Sequence, residues 1–430
     1  MTTFHQRSQF NPHPLPSEKP SMLPQRLKHL LRVSARLPPV ALLLALLLAI
    51  VGADGVQRLP LQPFAGAAKM RATLPSGQAH SKQPRLQLQA QGSIPMPPDT
   101  PAAHASTLVA MPASSPADLL AFWFAGSRES GADVQIAFSW FDRVQQAWLP
   151  ARFVVNRHTL AAQLGHGVRR IGNPVAWRDV AGRVHLFVVA TGLGGWAAGR
   201  IAHLRQTELG QAPAGLRFEA VRVLPLSWLF NTSHLVRAAP LELADGGMLL
   251  PVYFELGIKY PVALHIGPGG EFRGLTRMSN QRHWLQPTVV ATGVGTWLAL
   301  LRDNSSSGQI GRVQSTDNGQ SWQNLPPLPL ANPDASISAL ALPGGALALA
   351  HNPLPTGRQR LDLSLSADGA QWQLAHTLAQ GDARSEFSYP ALAWHDDNLW
   401  LSYTEQRQRI AWQRYGLVRD GAPLQTQGAR

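Results

Sequence analysis

Beyond about residue 100 the chain runs in short stretches where apolar positions alternate with small or polar ones, and no convincing amphipathic helix interrupts them. One unit recurs: a Gly or Asp turn, alternating apolar residues, then a polar side chain. It reads Asp118-Leu-Leu-Ala-Phe-Trp-Phe-Ala-Gly-Ser-Arg128, Gly182-Arg-Val-His-Leu-Phe-Val-Val-Ala-Thr191 and Gly246-Gly-Met-Leu-Leu-Pro-Val-Tyr-Phe-Glu255. It continues as Gly295-Thr-Trp-Leu-Ala-Leu-Leu-Arg302, Gly344-Gly-Ala-Leu-Ala-Leu-Ala-His-Asn352 and Asp397-Asn-Leu-Trp-Leu-Ser-Tyr-Thr404. The starts are separated by 64, 64, 49, 49 and 53 residues. Such spacing fits one four-stranded antiparallel blade per unit, so six copies predict an all-β, six-bladed propeller over 101–425. Alternation alone leaves a β-sandwich of six unrelated strands as the other reading.

A second pattern favours the propeller. Ser315-Thr-Asp317-Asn-Gly319-Gln-Ser-Trp322 has the form S-x-D-x-G-x-x-W, Ser366-Ala-Asp368-Gly369-Ala-Gln-Trp372 is a shortened relative, and Ser139 to Asp142 with Trp148 is a worn one. The chemistry is that of a turn between strands: Asp accepts local backbone N–H groups, Gly supplies a positive φ, and Trp packs beneath. These aspartates read as structural rather than catalytic.

The first hundred residues read differently. Residues 1–36 form a polar, Pro-rich, basic leader, and 37–53 hold the apolar run Val40–Val51. Residues 54–100, rich in Gln, Pro, Ala and Ser without periodicity, read as a linker. Four basic side chains fall in the fifteen residues before the run and one in the fifteen after it. That bias predicts a cytoplasmic N-terminus and an exported propeller, either through a single-pass inner-membrane anchor or after cleavage of a signal.

Composition narrows the function classes. No cysteine is present, which excludes disulfides, thiolate nucleophiles and zinc–thiolate or iron–sulfur sites. The net charge is +13, but only five of 38 basic residues are lysine and the arginines are scattered singly. No nucleic-acid-binding motif accompanies them, so nucleic acid is not an expected partner. The histidines show no metal-binding spacing, and neither a metal nor an organic cofactor is implied. Arg128, Glu255, Arg302 and Asn352 each follow a repeat strand, which in a propeller brings them toward one end of the central channel.

The S-x-D-x-G-x-x-W element is the Asp box, and the region from about 100 to 415 resembles the bacterial sialidase-like (BNR/Asp-box) family. His104-Ala-Ser-Thr-Leu108, Phe124-Ala-Gly-Ser-Arg-Glu129, Gly172-Asn-Pro174, Leu250-Pro-Val-Tyr-Phe-Glu255, Gln286-Pro-Thr-Val-Val290, Leu301-Arg302 and Ser388-Tyr-Pro390 are similar to that family's segments, in its order. The resemblance implies three arginines on a substrate carboxylate, an Asp acid/base, and a Tyr nucleophile assisted by a Glu. Arg302 matches the second arginine, Arg360 the third, Asp133 the acid/base and Tyr389 the nucleophile. His104 stands where the first arginine is expected, and Gln286 where the assisting Glu is expected. A His can still bind a carboxylate when protonated, which makes the pocket less cationic and pH-dependent. A Gln cannot take a proton from a phenol whose ordinary pKa is about 10, so Glu255 or Glu386 would have to do so.

Each of these residues also has a plainer reading. Arg302 or Arg360 fits an inter-blade ion pair, Arg128 a pair with Glu129 or Glu255, and Asp133 a turn. Tyr389 fits a packed aromatic and His104 a structural histidine. The expectation is an exo-glycosidase acting on an acidic glycan. The alternative is a non-catalytic propeller that binds cell-surface polysaccharide.

Overall fold

A computed structural model describes residues 38–57, 84–209, 213–227 and 231–418. The leader read over 1–36 and residues 58–83 of the linker lie outside the described residues. The chain divides into two compact units, Met1–Gly55 and Val56–Arg430. Among the described residues the first holds most of the helix Pro39–Gln57. Its uninterrupted apolar run, Val40–Val51, extends only about 18 Å at 1.5 Å per residue, against roughly 30 Å of bilayer hydrocarbon. Among the described residues no helix is long and apolar enough to cross a membrane, so the anchor expected over 37–53 finds no support.

The second unit is a six-bladed β-propeller of antiparallel sheets with four or five strands each. The innermost strands are Ala102–Ala110, Arg170–Arg178, His234–Val236, Trp284–Gly293, Ser338–Ala341 and Phe387–His395. The six sequence repeats form the second strands, Ala117–Gly126, Val184–Thr191, Met248–Phe254, Thr296–Asp303, Leu347–His351 and Asn398–Glu405. A second strand is sandwiched between the faces of neighbouring blades. Ala117–Gly126 and Val184–Thr191 are accordingly buried along their whole length, which is why they read as apolar runs.

The ring closes with the N-terminal strand. Arg85–Ser93 pairs antiparallel with Arg409–Val418 as the outermost strand of the sixth blade, from Arg85 opposite Val418 to Ser93 opposite Ala411. The propeller therefore starts at 85 rather than 101, and the last part of the stretch read as linker is structural. Its polar composition has a physical cause: at the rim of the disc only Leu86 of this strand is fully buried. A second departure is the helix Arg157–Leu164 between the first two blades. Asn156 caps it by accepting from the N–H groups of His158 and Thr159, and Gly165 ends it at φ 70°. Only Leu160 of this helix is fully buried, so no amphipathic stripe announces it.

The Asp boxes close hairpins between third and fourth strands. Ser315 Oγ donates to Asp317 at 2.8 Å and accepts from Gly319 N–H at 2.8 Å, and Trp322 Nε1 donates to Gly319 O at 3.1 Å. Ser366, Asp368, Gly369 and Trp372 repeat the arrangement. In the worn copy Asp142 accepts from Val144 and Gln145 N–H. Gly319 is at φ 82°, and a Cβ there would lie 2.2 Å from the ring of Trp297, which is fully buried. Gly319→Ala is expected to cost about 3 kcal/mol, combining left-handed strain with overpacking. Gly345→Ala, at φ 90° with nothing within 4 Å, is expected to cost only about 1–2 kcal/mol. Denaturant unfolding of both variants checks this, and equal losses would remove Trp297 from the explanation.

Candidate functional site

Besides Asp99 (φ 54°) ahead of the first blade, each blade carries one non-glycine residue in the left-handed region, within or up to four residues before its innermost strand. They are Ala105 (φ 55°), Asn173 (43°), Ser233 (67°), Gln286 (48°), Asp334 (51°) and Tyr389 (54°). In four sheets the ladder slips at this point: between His104 and Thr107, Gly172 and Val175, Leu285 and Thr288, and Ser388 and Ala391. A left-handed residue costs roughly 1–2 kcal/mol, and a bulge re-aims its side chain out of the pleat. Strain repeated six times in register marks this end of the channel as the place to look for chemistry.

Tyr389 lies at its centre, half-buried. The His104 ring sits 4.2 Å away between centroids, and the guanidinium carbons of Arg237 and Arg358 lie 5.1 and 6.0 Å from the Tyr389 ring centre. Glu386 links the outer part of the group. It accepts from Arg358 Nη1 at 3.3 Å, Arg407 Nε at 2.7 Å and Ser388 Oγ at 2.9 Å, and Arg407 also pairs with Glu129. Burial would raise the Glu386 pKa, but the hydrogen bond and charge of Arg407 win and hold it below the usual carboxylate range. His104 is lowered well below its ordinary value, first by burial and then by the charges of Arg407, Arg237 and Arg358. It is a neutral ring at pH 7 and does not supply the cation expected at that position.

The third, fourth and fifth blades contribute the second half. Arg302 donates from Nε to Asp334 at 2.6 Å and from Nη1 to Gln286 Oε1 at 3.2 Å, while Gln286 Nε2 donates to the Tyr253 hydroxyl at 3.3 Å. Burial disfavours the charged Arg302, yet the neighbouring Tyr389 and then its pairing with Asp334 keep it protonated. Burial and then the charge of Glu255 push the Tyr253 phenol up. Glu255 is itself raised by burial, against the pull of Arg302 and Lys259. A carboxylate raised in this way is a stronger base than Glu386, which already accepts from three donors.

The other sequence-derived candidates are held by contacts of their own. Asp133 is exposed, and its carboxylate accepts from Ser127 N–H at 2.6 Å and Ser127 Oγ at 2.9 Å. The backbone N–H of Ser127 is the main cause of a pKa below the usual carboxylate range. Arg128 is exposed beside a shallow depression shared with His104, Glu129 and Arg407. Arg360 turns away: its Nε donates to Asp362 at 2.8 Å and its Nη2 to Thr377 at 3.2 Å, and Arg358 stands over Tyr389 in its place. Asn352 is buried and donates to the carbonyls of Arg360 and Phe387, stitching the fifth blade to the sixth. The sequence reasoning missed Arg237, Arg358, Arg407, Glu129 and Asp334. The Gly357-Arg358-Gln-Arg360 segment offered two arginines, and nothing local distinguishes them.

Two other places were candidates for chemistry. Asp118, His395 and Asp396 bring ligand-type atoms together, but Arg143 Nε already lies 3.0 Å from Asp118 and fills the role of a cation. Toward the other end of the innermost strands is a cavity of about 470 Å³ with mainly Ala, Leu and Val walls, and Arg178 and Glu242 as its charged residues.

The fold agrees with the comparisons. The chain belongs to the BNR repeat-like domain family, whose pattern matches residues 117–401. Among solved structures, a protein of unknown function from Dyadobacter fermentans is 12% identical, with a TM-score of 0.58 over 77% of this chain and 99% of that one. Trypanosoma rangeli sialidase with the inhibitor DANA is 12% identical, also with a TM-score of 0.58, over 77% of this chain and 59% of the sialidase. The intramolecular trans-sialidase from Ruminococcus gnavus is 11% identical, with a TM-score of 0.55 over 73% and 94%. At these identities the likeness is one of fold. Comparison with curated proteins finds no match.

Proposed function

We propose that this protein is a glycosidase-like enzyme acting on an exposed sugar that carries a carboxylate, with its site at the Tyr389 end of the channel. The observation that carries the reading is Tyr389 itself: a left-handed tyrosine with the guanidinium groups of Arg237 and Arg358 against its ring. Positive charge gathered around the ring suits a carboxylated sugar, and a neutral phenol can approach such an anion without repulsion. In this reading Tyr389 Oη forms a bond to the anomeric carbon as the glycosidic bond breaks, and Asp133 gives its proton to the leaving oxygen. Glu255 receives the phenol proton, and water later releases the sugar. Because Ser127 favours ionised Asp133, release of a poor leaving group is expected to be faster at pH 5.5 than at pH 7.5.

One observation favours a second reading, a propeller that binds acidic polysaccharide without cleaving it. Gln286 donates to Tyr253 and accepts from Arg302, and it brings no proton acceptor to the position where one is expected. The test compares wild type, Tyr389→Phe and Asp133→Asn on fluorogenic sialosides and uronosides. The hydrolase predicts release that falls at least 100-fold in Tyr389→Phe. Folded wild type that releases nothing, yet is retained on an acidic-polysaccharide column, establishes the binder instead. Export of the propeller is part of the same proposal, supported by the charge bias around Val40–Val51. Fractionation that finds the full chain in the cytoplasm removes that part.

A further inference from the structure

The four guanidinium groups of the Tyr389 cluster are not equivalent. Arg302 holds Asp334, Arg358 holds Glu386, and Arg407 holds Glu386 and Glu129. Arg237 is only 3% exposed and, among the described residues, has no carboxylate at ion-pair distance. It leaves the end of the third blade's innermost strand and spans to two other blades. Its Nη1 donates to Ser106 O in the first blade at 3.2 Å and its Nη2 to Pro390 O in the sixth at 2.8 Å, while its Nε has no hydrogen-bond partner. Burial lowers its pKa only to about 10, so it is charged at neutral pH.

A buried guanidinium met by two neutral carbonyls and the Tyr389 ring is expensive, because no carboxylate cancels its charge. Both carbonyls belong to residues immediately after left-handed ones, Ala105 and Tyr389. The same fork therefore ties together the bulges that present His104 and Tyr389. His104 is neutral, so Arg237 is the charge that reaches this side of the site from within. Its field acts through water-excluded protein and is weakly screened.

We propose that Arg237 is a positioning residue of the Tyr389 site: it pins the His104 and Tyr389 bulges, and its unmatched charge beneath the Tyr389 ring selects an anionic sugar above it. The proposal rests on the acidic-sugar reading above. It does not require that Arg237 touch the ligand, which its burial prevents.

Calorimetric titration of the full chain tests it, with DANA and glucuronate as acids and their methyl esters as neutral counterparts, for wild type, Arg237→Gln and Arg237→Lys. The expected result is an acid affinity about 10-fold weaker in Arg237→Gln, with ester affinity changed less than about 3-fold. Arg237→Lys keeps the charge without the fork and is expected to retain the wild-type preference for acid over ester. That expectation stands as the test if the Gln variant does not fold. Acid and ester affinities that fall together in a folded variant overturn the electrostatic role. Wild type that binds acid, with Arg237→Gln binding it equally, overturns the role of Arg237 alone. Wild type that binds neither acid overturns the acidic-sugar reading, and this proposal with it.

Discussion

Between about pH 6.5 and pH 4 the folded propeller is expected to lose stability at roughly 4 kcal/mol per pH unit or faster, and to unfold in the range of about pH 4–5. The cause is a set of histidines buried in neutral form. Burial holds His203 down to about 3, and His265 and His351 to about 4. His104 and His185 are also lowered, chiefly by burial. In the unfolded chain these rings take up protons near pH 6.5, whereas in the folded chain they do not. A lowered histidine therefore contributes stability that is fully present above the unfolded pKa and is lost as pH falls toward the folded one. Each group adds about 1.4 kcal/mol per pH unit inside that window, and three give the slope stated. His203 shows why the neutral state is preferred. His185 places Nε2 3.0 Å from Asp179 and Nδ1 2.9 Å from His203 Nε2, and Phe187 and Trp177 pack against the two rings. Carboxylates lowered by hydrogen bonding, such as Asp317 and Asp368, extend the loss below pH 4.5 in the same direction. Denaturant melts at pH 7.5, 6.5, 5.5 and 4.5 measure the slope. Unfolding free energy that stays level from pH 6.5 to 5 would show that these rings gain protons without opening the fold. The proposed chemistry gains from acid through Asp133, so it is expected to work only in the narrow interval above this transition.

A chain that begins at residue 84 is expected to fold with the melting temperature of the propeller in the full protein, and a chain that begins at residue 101 is not expected to fold as a monomer. The shorter chain lacks Arg85–Ser93 and leaves Arg409–Val418 as a bare edge. It also removes Leu86, whose carbonyl accepts from His376 Nε2 at 2.8 Å, and Ile94, whose N–H donates to Ile410 O at 2.9 Å. Ile94 is buried in the core that holds Trp123 of the first blade and Trp400 and Trp412 of the sixth. Two lost core residues cost about 2–5 kcal/mol each, before the loss of the strand that closes the ring. Size-exclusion chromatography and thermal melts of the two chains decide the matter. A 101–430 chain that is monomeric and melts within about 2 °C of the longer one removes the closure argument.

The amino-acid sequence by itself determined the repeating part of this protein. The six second strands read as apolar runs because blades pack on both of their faces. The Asp boxes were legible because their hydrogen bonds close within a few residues, as in Ser315 to Trp322. Elements at the rim left no such trace. Arg85–Ser93 and Arg157–Leu164 each bury one residue fully, too few to impose a period, and their place comes from pairing or packing with distant segments.

Within the site, sequence supplied Tyr389, Arg302 and Gln286 as residue types at plausible positions, and tertiary structure decided what surrounds them. Arg358 and Arg360 are equivalent on paper, and only the path of the loop before Arg360–Ser366 turns one to Tyr389 and the other to Asp362. His104 reads as a titratable cation until burial removes its proton. Arg237 carries no local signature, because what distinguishes it is two carbonyls from other blades and, among the described residues, no carboxylate at ion-pair distance. Local hydrogen bonding and two-sided burial are written into neighbouring residues. For His104 and Arg237 the charge state and facing depend on residues more than a hundred positions away, and folding alone brings those together.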